Sequence, residues 1–279
     1  MSSKKYSRVY VEITNICNKN CSFCHGTSRA PRRMSDSEFK HVVHQILPLT
    51  DYIYFHVMGE PTTHPDLTEF IKYASSLGLK CAVTTNGTLL HRCTDLLDSG
   101  VYKVNLSVHS FEGADEAEHI EYLESLCDFA DRATENGILC VLRLWNKGFD
   151  DGKNDRTLEF LKGRLAGEWT WGARGARIRH KLHLEYGERF DWPDMNAPLG
   201  NESVFCYGLG DHFGILCDGT VVPCCLDANG DIPLGNIFSE DVEKILNNER
   251  ALAIKQGFSK RMPSEALCRK CGYATRFGK

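Results

Sequence analysis

The sequence predicts an α/β fold, a partial (β/α)6 barrel followed by a small C-terminal domain, and three observations carry that prediction. Short apolar runs alternate with helical stretches over the first two-thirds of the chain. Several helical stretches open on polar residues or close on glycine, and the alternation stops after Phe190. Strand-like runs are read at residues 9–14, 52–58, 79–84, 102–108, 138–144 and 176–184. Helix-like stretches at 35–47, 66–77, 88–99, 116–136 and 156–166 lie between them. Gly78, Gly100 and Gly137 follow three of these stretches, where a left-handed cap ends a helix. Strand and helix in repetition build a parallel sheet with helices outside it. Chemistry in such folds sits beyond the C-terminal ends of the strands. Residues 191–203 are polar, carry Pro193 and Pro198, and read as a linker. Beyond it the pattern predicts a hairpin, 212–217 and 220–222 turning at Asp218-Gly219, and then a helix near 239–256. The expected domains are 1–190 and 191–279.

Composition narrows the class. The 279 residues are 42% hydrophobic and 25% charged, as in an ordinary soluble globular protein. A net charge of −4 and a pI near 6.3 argue against a nucleic-acid partner. The N-terminus has no export signal and no run approaches the ~18 apolar residues of a membrane helix, so a cytoplasmic protein is expected. Thirteen cysteines in such a chain point to metal or redox chemistry rather than disulfides. Three crowd into residues 17–24 and six lie after residue 205. Cys81, Cys93, Cys127 and Cys140 stand singly and read as small buried apolar residues.

The first group is Cys17-Asn-Lys-Asn-Cys21-Ser-Phe-Cys24, a C-x3-C-x2-C run just after the first strand. Three thiolates on one tight loop can hold three irons of a [4Fe-4S] cubane and leave the fourth iron open to a chelating small molecule. A structural zinc site using the same cysteines is the alternative. The stretch from Glu12 to Cys24 resembles the signature loop of the radical S-adenosylmethionine (SAM) superfamily, with Phe23 where an aromatic residue flanks the SAM adenine. Met58-Gly59-Glu60-Pro61 resembles the motif that binds the methionine amino group, with Met58 in place of a common first glycine. There Gly59 allows close backbone approach and Glu60 supplies charge for an ammonium. Thr84-Thr85-Asn86-Gly87 ends the third strand and Ser107-Val108-His109-Ser110 the fourth. In the resemblance Thr85, Asn86, Ser107 and His109 face the ribose and carboxylate of SAM, joined by Arg143 from the fifth strand. The resemblance covers residues 6–190. It implies that a reduced cluster cleaves SAM, that a 5′-deoxyadenosyl radical takes hydrogen from the substrate, and that a flavodoxin- or ferredoxin-type protein supplies the electron.

The second group reads C-x12-G-x4-C over Cys206, Gly219 and Cys224, followed by Cys225, Leu234-Gly235-Asn236-Ile237 and the pair Cys268-Arg-Lys-Cys271. It resembles the C-terminal extension of SPASM/Twitch radical SAM enzymes. No cysteine follows Cys271, so the shorter Twitch-like version is expected, with Cys206, Cys224, Cys268 and Cys271 holding one auxiliary [4Fe-4S] cluster. Cys217 or Cys225 could replace one of them, and a zinc knuckle would use the same sulfurs.

Polar residues inside a barrel mark function. His25 follows the first cysteines, His56 precedes the Met58 motif, His109 ends the fourth strand, and Arg143 and Asn146 end the fifth. Along the sixth, Arg179, Lys181, His183 and Glu185 alternate with Ile178, Leu182 and Leu184, which reads as one polar face. His56, His109, Lys181, His183 and Glu185 are the candidate catalytic residues, and together they suggest a small polar substrate. Length and a single auxiliary cluster fit a queuine lyase, which recovers a deazapurine base, and that is the specific expectation. An aminocyclitol dehydrogenase fits as well. Maturation of a ribosomal peptide is a further class, but its enzymes often carry an N-terminal leader-binding domain, and a cysteine loop starting at residue 17 leaves no room for one. A non-enzymatic iron–sulfur scaffold would not explain Gly59-Glu60 and Asn86-Gly87.

Overall fold

The computed structural model describes residues 4–111, 115–150, 152–200 and 202–277. In chain order the strands are β1 (Arg8–Val11), β2 (Tyr52–Phe55), β3 (Lys80–Thr85), β4 (Lys103–Ser107), β5 (Leu139–Lys147), β6 (Thr170–Gly172), β7 (Gly175–Arg179), β8 (Leu182–Glu188), β9 (His212–Ile215), β10 (Thr220–Val222) and β11 (Gly235–Asn236). The helices are α1 (Asp36–Ile46), α2 (Leu67–Ser76), α3 (Glu116–Glu135), α4 (Lys153–Arg164), α5 (Val242–Leu246), α6 (Glu249–Ser259) and α7 (Ala266–Arg269). This is the α/β class the sequence predicts. The chain separates into two compact units, one of Met1–Asp66, Ser76–Leu79 and Phe190–Lys279, the other of Leu67–Ser75 and Lys80–Arg189. The segment after Phe190 therefore groups with the start of the chain. Among the described residues no helix is long and apolar enough to cross a membrane.

In the first unit the strand order is β11-β10-β9-β1-β2, with β1 parallel to both β9 and β2. Alternation along β1 and β2 buries Val9, Val11, Ile53 and Phe55, and Phe55 stacks on Phe39 of α1 at 5.8 Å. A capping box of Ser35 and Glu38 starts α1, which buries Phe39, Val42, Val43 and Ile46, each contributing about 1.5–3 kcal/mol. The expected hairpin forms between β9 and β10, with Gly219 at φ +85° and Asp218 Oδ1 accepting from Thr220 N at 3.0 Å. The single helix expected near 239–256 is two, α5 and α6. Asn248 interrupts it and caps α6, its Oδ1 accepting from Ala251 N at 2.9 Å.

In the second unit the order is β3-β4-β5-β8-β7-β6; β3, β4, β5 and β8 run parallel, and β8, β7 and β6 form an antiparallel meander. Val104, Leu106, Cys140, Leu142, Leu144, Leu182 and Leu184 are buried. Cys81, Cys127 and Cys140 lie in this core, each thiol pushed up to about 12 by burial. Residues 88–99 are not the expected α-helix. They form two 3-10 turns, Leu90–Arg92 and Thr94–Asp98, separated where Cys93 leaves helical geometry at φ −109°, ψ 50°.

The run 176–184 is likewise not one strand. It turns back at Lys181, a non-glycine residue at φ +59°, and the β7–β8 register shifts between Arg177 and Arg179. The polar row therefore divides. Arg179 Nη2 donates to Asp131 Oδ1 at 2.5 Å and to Thr134 Oγ1 at 3.1 Å on α3, and Lys181 Nζ bonds the carbonyl of Gly137. Only His183 and Glu185 share a face with their β5 neighbours Val141 and Arg143.

Candidate active site

In the first unit the strand-end loops gather on Glu12. This residue is 1% exposed, yet its Oε2 accepts from Arg29 Nη2 at 2.7 Å and Met58 N at 3.0 Å, and its Oε1 from Cys217 N at 3.2 Å. A buried carboxylate needs such compensation, and here it joins the cysteine loop, the Met58 turn and the β9–β10 hairpin. Glu12 belongs to the signature stretch but was given no role from sequence; its signal was a charge closing an apolar strand. Gly59 has φ +74°, and a Cβ there would overlap the Thr14 carbonyl and come within 2.8 Å of the Asn15 carbonyl carbon. The close approach that demands glycine is thus to the start of the cysteine loop. Glu60, 2% exposed, donates its N–H to Ile16 O at 2.9 Å. Its Oε1 accepts from Thr62 N at 3.0 Å and Thr62 Oγ1 at 2.7 Å, capping the turn Pro61–Thr63.

Cys17 and Cys24 are exposed and Cys21 is half-buried. Backbone N–H groups point at two of the sulfurs, Lys19 N at Cys17 Sγ and Gly26 N at Cys24 Sγ, both at 3.4 Å. Backbone donors of this kind are found at sulfurs that ligate iron–sulfur clusters. The carbonyl of Phe23 accepts from Trp192 Nε1 at 3.0 Å. Met58 is buried among Val57, Leu216, Val222 and Ala228, and His56 sets its ring edge-on to Tyr10 at 5.0 Å.

The second cysteine group is drier. Burial raises all four expected ligands, Cys206, Cys224, Cys268 and Cys271. Neighbouring sulfurs add to it: Cys225, Cys206 and Cys268 act on Cys224, and Cys206 and Cys271 on Cys268. Among the described residues no three His, Cys, Asp or Glu side chains stand close enough together to hold one metal ion as they are. The thiols nevertheless lie within electrostatic reach, and a bound cation would reverse the penalty they impose on one another. That donor set fits an iron–sulfur cluster. Of the two competing cysteines, Cys225 stays within electrostatic reach of Cys224, whereas Cys217 has its own surroundings. Cys217 is buried beside Glu12, with Arg29 Nη1 3.8 Å from its sulfur, and Cys225 packs with Tyr10 and Trp192 against the Met58 cluster.

In the second unit Thr85 Oγ1 accepts from Gly87 N at 3.0 Å, and Asn86 Oδ1 accepts from Thr88 N at 3.0 Å and Thr88 Oγ1 at 2.7 Å. Tyr122 of α3, which the sequence did not single out, reaches Asn86 O at 2.7 Å and Ser107 O at 2.9 Å, so one phenol ties the ends of β3 and β4. His109 Nδ1 lies 3.1 Å from Arg143 O and 3.4 Å from Trp145 N. Burial, with the Arg143 charge adding to it, lowers the imidazole pKa to about 4, so the ring is neutral near pH 7. Arg143 donates from Nε to Glu185 Oε2 at 3.1 Å and lies 4.7 Å over the Trp145 ring. Burial, then Arg177 and Lys103, also lowers His183. Ser107, His109, Arg143 and Glu185 thus come together where the C-terminal end of β4 lies level with the middle of β5 and β8. Lys181 does not join them, because the β7–β8 turn places it at the other end of the strands, on Gly137.

A profile of the radical SAM superfamily matches residues 11–161, and one of an iron–sulfur cluster-binding domain, SPASM, matches residues 206–272. An AdoMet-dependent heme synthase of Methanosarcina barkeri is 34% identical over 113 residues, 39% of this chain and 32% of that protein. A probable GTP 3',8-cyclase of Methanocella arvoryzae is 27% identical over 87% of this chain and 89% of its own. The chain spans about a third of the length of the first curated relatives it matches. Among solved structures, BtrN in complex with AdoMet and 2-DOIA has a TM-score of 0.64 at 18% identity, covering 97% of this chain and 94% of that one. The anSMEcpe structure with bound AdoMet has a TM-score of 0.59 at 16% identity, covering 90% and 83%. These likenesses show the fold. The cofactors that go with the two matched families are a [4Fe-4S] cluster, SAM and a second iron–sulfur cluster, and the chain belongs to the radical SAM superfamily.

Proposed function

We propose that this chain is an enzyme that removes hydrogen from a small polar substrate. In this reading Cys17, Cys21 and Cys24 hold the catalytic cluster, and Cys206, Cys224, Cys268 and Cys271 the auxiliary one. The observation that carries it is the Arg143–Glu185 pair, set beside Ser107 and His109 at the end of β4. When bound, the reduced cluster and SAM would supply the one-electron cleavage that yields a hydrogen-abstracting radical, and the auxiliary cluster would take up the electron left on the substrate once its hydrogen atom and proton have gone. The chain's own groups bind and orient. Glu60 offers negative charge to the methionine ammonium, with Phe23, Met58 and Gly59 beside it in the first unit, and the family resemblance assigns Thr85, Asn86 and Ser107 to the same cofactor. Arg143 orients the substrate, Glu185 accepts its hydroxyl or amine proton, and neutral His109 holds β5 at Arg143 and Trp145. His56 and His183 are held as further substrate contacts.

Oxidation of an aminocyclitol-type molecule is the reading taken first. A guanidinium paired with a carboxylate suits neighbouring hydroxyl and amino groups, and the fold that binds AdoMet and 2-DOIA matches nearly the full length of both chains. The queuine-type lyase expected from sequence has no counterpart among the relatives named above and forms the second arm of the test. The Twitch-like form of the C-terminal region, the division into 1–190 and 191–279, action in the cytoplasm and a flavodoxin- or ferredoxin-type donor belong to the same proposal. The test is to incubate the anaerobically reconstituted, dithionite-reduced protein and SAM with aminocyclitols, queuine or a linear peptide, and to analyse by mass spectrometry. Aminocyclitol-dependent 5′-deoxyadenosine with an oxidised product is the expected result. Stimulation by the peptide alone would end the small-molecule reading. The combined Cys17→Ala, Cys21→Ala and Cys24→Ala protein should keep about four of about eight irons and make no 5′-deoxyadenosine.

A further inference from the structure

We infer that Asn229, acting with Thr27 and Arg29, is a positioning residue for the SAM site, fastening the exit of the first cysteine loop to the loop that carries Cys224. The first loop has little regular structure of its own between β1 and α1. Its base is closed by Asn15, whose Nδ2 donates to Ala30 O at 2.8 Å and whose Oδ1 accepts from Arg32 N at 2.7 Å. Above that base, Thr27, Ser28 and Arg29, which follow Cys24 closely, are held from outside.

Asn229 Oδ1 accepts from Thr27 Oγ1 at 3.0 Å, Ser28 N at 3.0 Å and Ser28 Oγ at 3.3 Å. The neighbouring carbonyl of Ala228 accepts from Thr27 Oγ1 at 3.1 Å and Arg29 Nε at 3.0 Å. Arg29 continues the seam to Glu12. The platform on the other side is itself fixed, because Asp227, 1% exposed, accepts from Asp231 N at 2.8 Å and Ile232 N at 2.9 Å. A loop ordered by bonds to a second loop keeps its geometry only while those bonds last, since ordering each residue costs about 1–2 kcal/mol of conformational free energy. A reacting group misplaced by even a fraction of an ångström loses its alignment. The arrangement of Cys17–Cys24 for SAM therefore depends on a side chain of the C-terminal region that acts through Thr27 and Ser28.

The experiment is calorimetric titration of SAM into the reconstituted protein, with the EPR spectrum of the reduced cluster recorded with and without SAM. Asn229→Ala should weaken SAM binding at least about fivefold, the loss of one or two neutral hydrogen bonds, while iron content and thermal melting stay as in the parent. Its SAM-induced EPR change should shrink. Asn229→Asp keeps oxygen acceptors for Thr27 and Ser28 and should restore both readouts, which a purely structural role would not require. If Asn229→Ala loses iron, Thr27→Val replaces it, removing a hydroxyl from the same seam, and is read in the same way. Parent-like SAM affinity and EPR in an iron-replete variant would overturn the inference, and so would equal weakening by Ala and Asp. The inference rests on SAM binding at the first cysteine loop and not on the choice of substrate, so a failed substrate panel leaves it standing.

Discussion

In the first unit the strand-end loops converge on one buried anion, Glu12, which serves Arg29, Met58 and Cys217 together. In the second unit the ends of β3 and β4 are joined by an uncharged group, the Tyr122 hydroxyl, with the neutral His109 ring beside β5, and the Arg143–Glu185 ion pair links only β5 to β8. The difference follows from what each loop lacks. The chain between β1 and α1 is long and irregular, so it needs an anchor that takes several donors at once, and only a carboxylate accepts that many strongly. The ends of β3, β4 and β5 are already held by a parallel ladder, so single neutral bonds of about 0.5–1.5 kcal/mol suffice. One unit concentrates its order in a single side chain, and the other spreads it.

The largest test of that contrast is Glu12→Ala, which strands the Arg29 charge and two backbone donors. It should cost on the order of 3–5 kcal/mol in urea unfolding. A cost below that of Tyr122→Phe would invert the comparison. Gly59→Ala forces an L-residue to φ +74° against the Thr14 carbonyl and should lose about 3 kcal/mol, with the cysteine loop displaced. Acidification probes the second unit. His109 has a folded pKa of about 4 against 6.5 for the ordinary side chain. Between these values the unfolded chain binds a proton that the folded chain refuses. Stability is therefore complete above pH 6.5 and falls by up to about 3 kcal/mol as the pH drops to 4. His109→Gln should flatten that slope in pH-dependent denaturation; an unchanged slope would mean the ring is not buried neutral. Tyr122→Phe, the mildest change, should cost about 1–2 kcal/mol and leave iron content unaltered.

The parts of the fold written in local pattern were legible beforehand. Apolar alternation located β1 to β5, and Asp218-Gly219 located the hairpin, because each signal spans only a few residues. Lys181 escaped because a left-handed turn without glycine leaves no mark in the sequence. Alternation is also blind to the register shift that sends Arg179 to α3 and leaves His183 and Glu185 beside β5. In the site, cysteine spacing is linear and could be read directly. Glu12 meets Cys217 across 205 positions and Tyr122 meets Asn86 across 36, and no spacing rule joins residues so far apart. Both reveal themselves only when the chain is folded, as polar groups that burial obliges to find partners.

Trp192 gives the first cysteine loop an optical signature. Its indole N–H is bonded to the Phe23 carbonyl at 3.0 Å and its ring lies over His25, with centroids 6.0 Å apart. Indole emission responds to the polarity and hydrogen bonding around that N–H, so any event that orders or releases the loop is written into the spectrum. The chain has four tryptophans, and the other three, Trp145, Trp169 and Trp171, all belong to the second unit. Replacing those three with phenylalanine leaves a single indole, hydrogen-bonded to the carbonyl of Phe23. The effect of SAM on this loop can then be read by stopped-flow fluorescence in real time, without a label and without waiting for turnover.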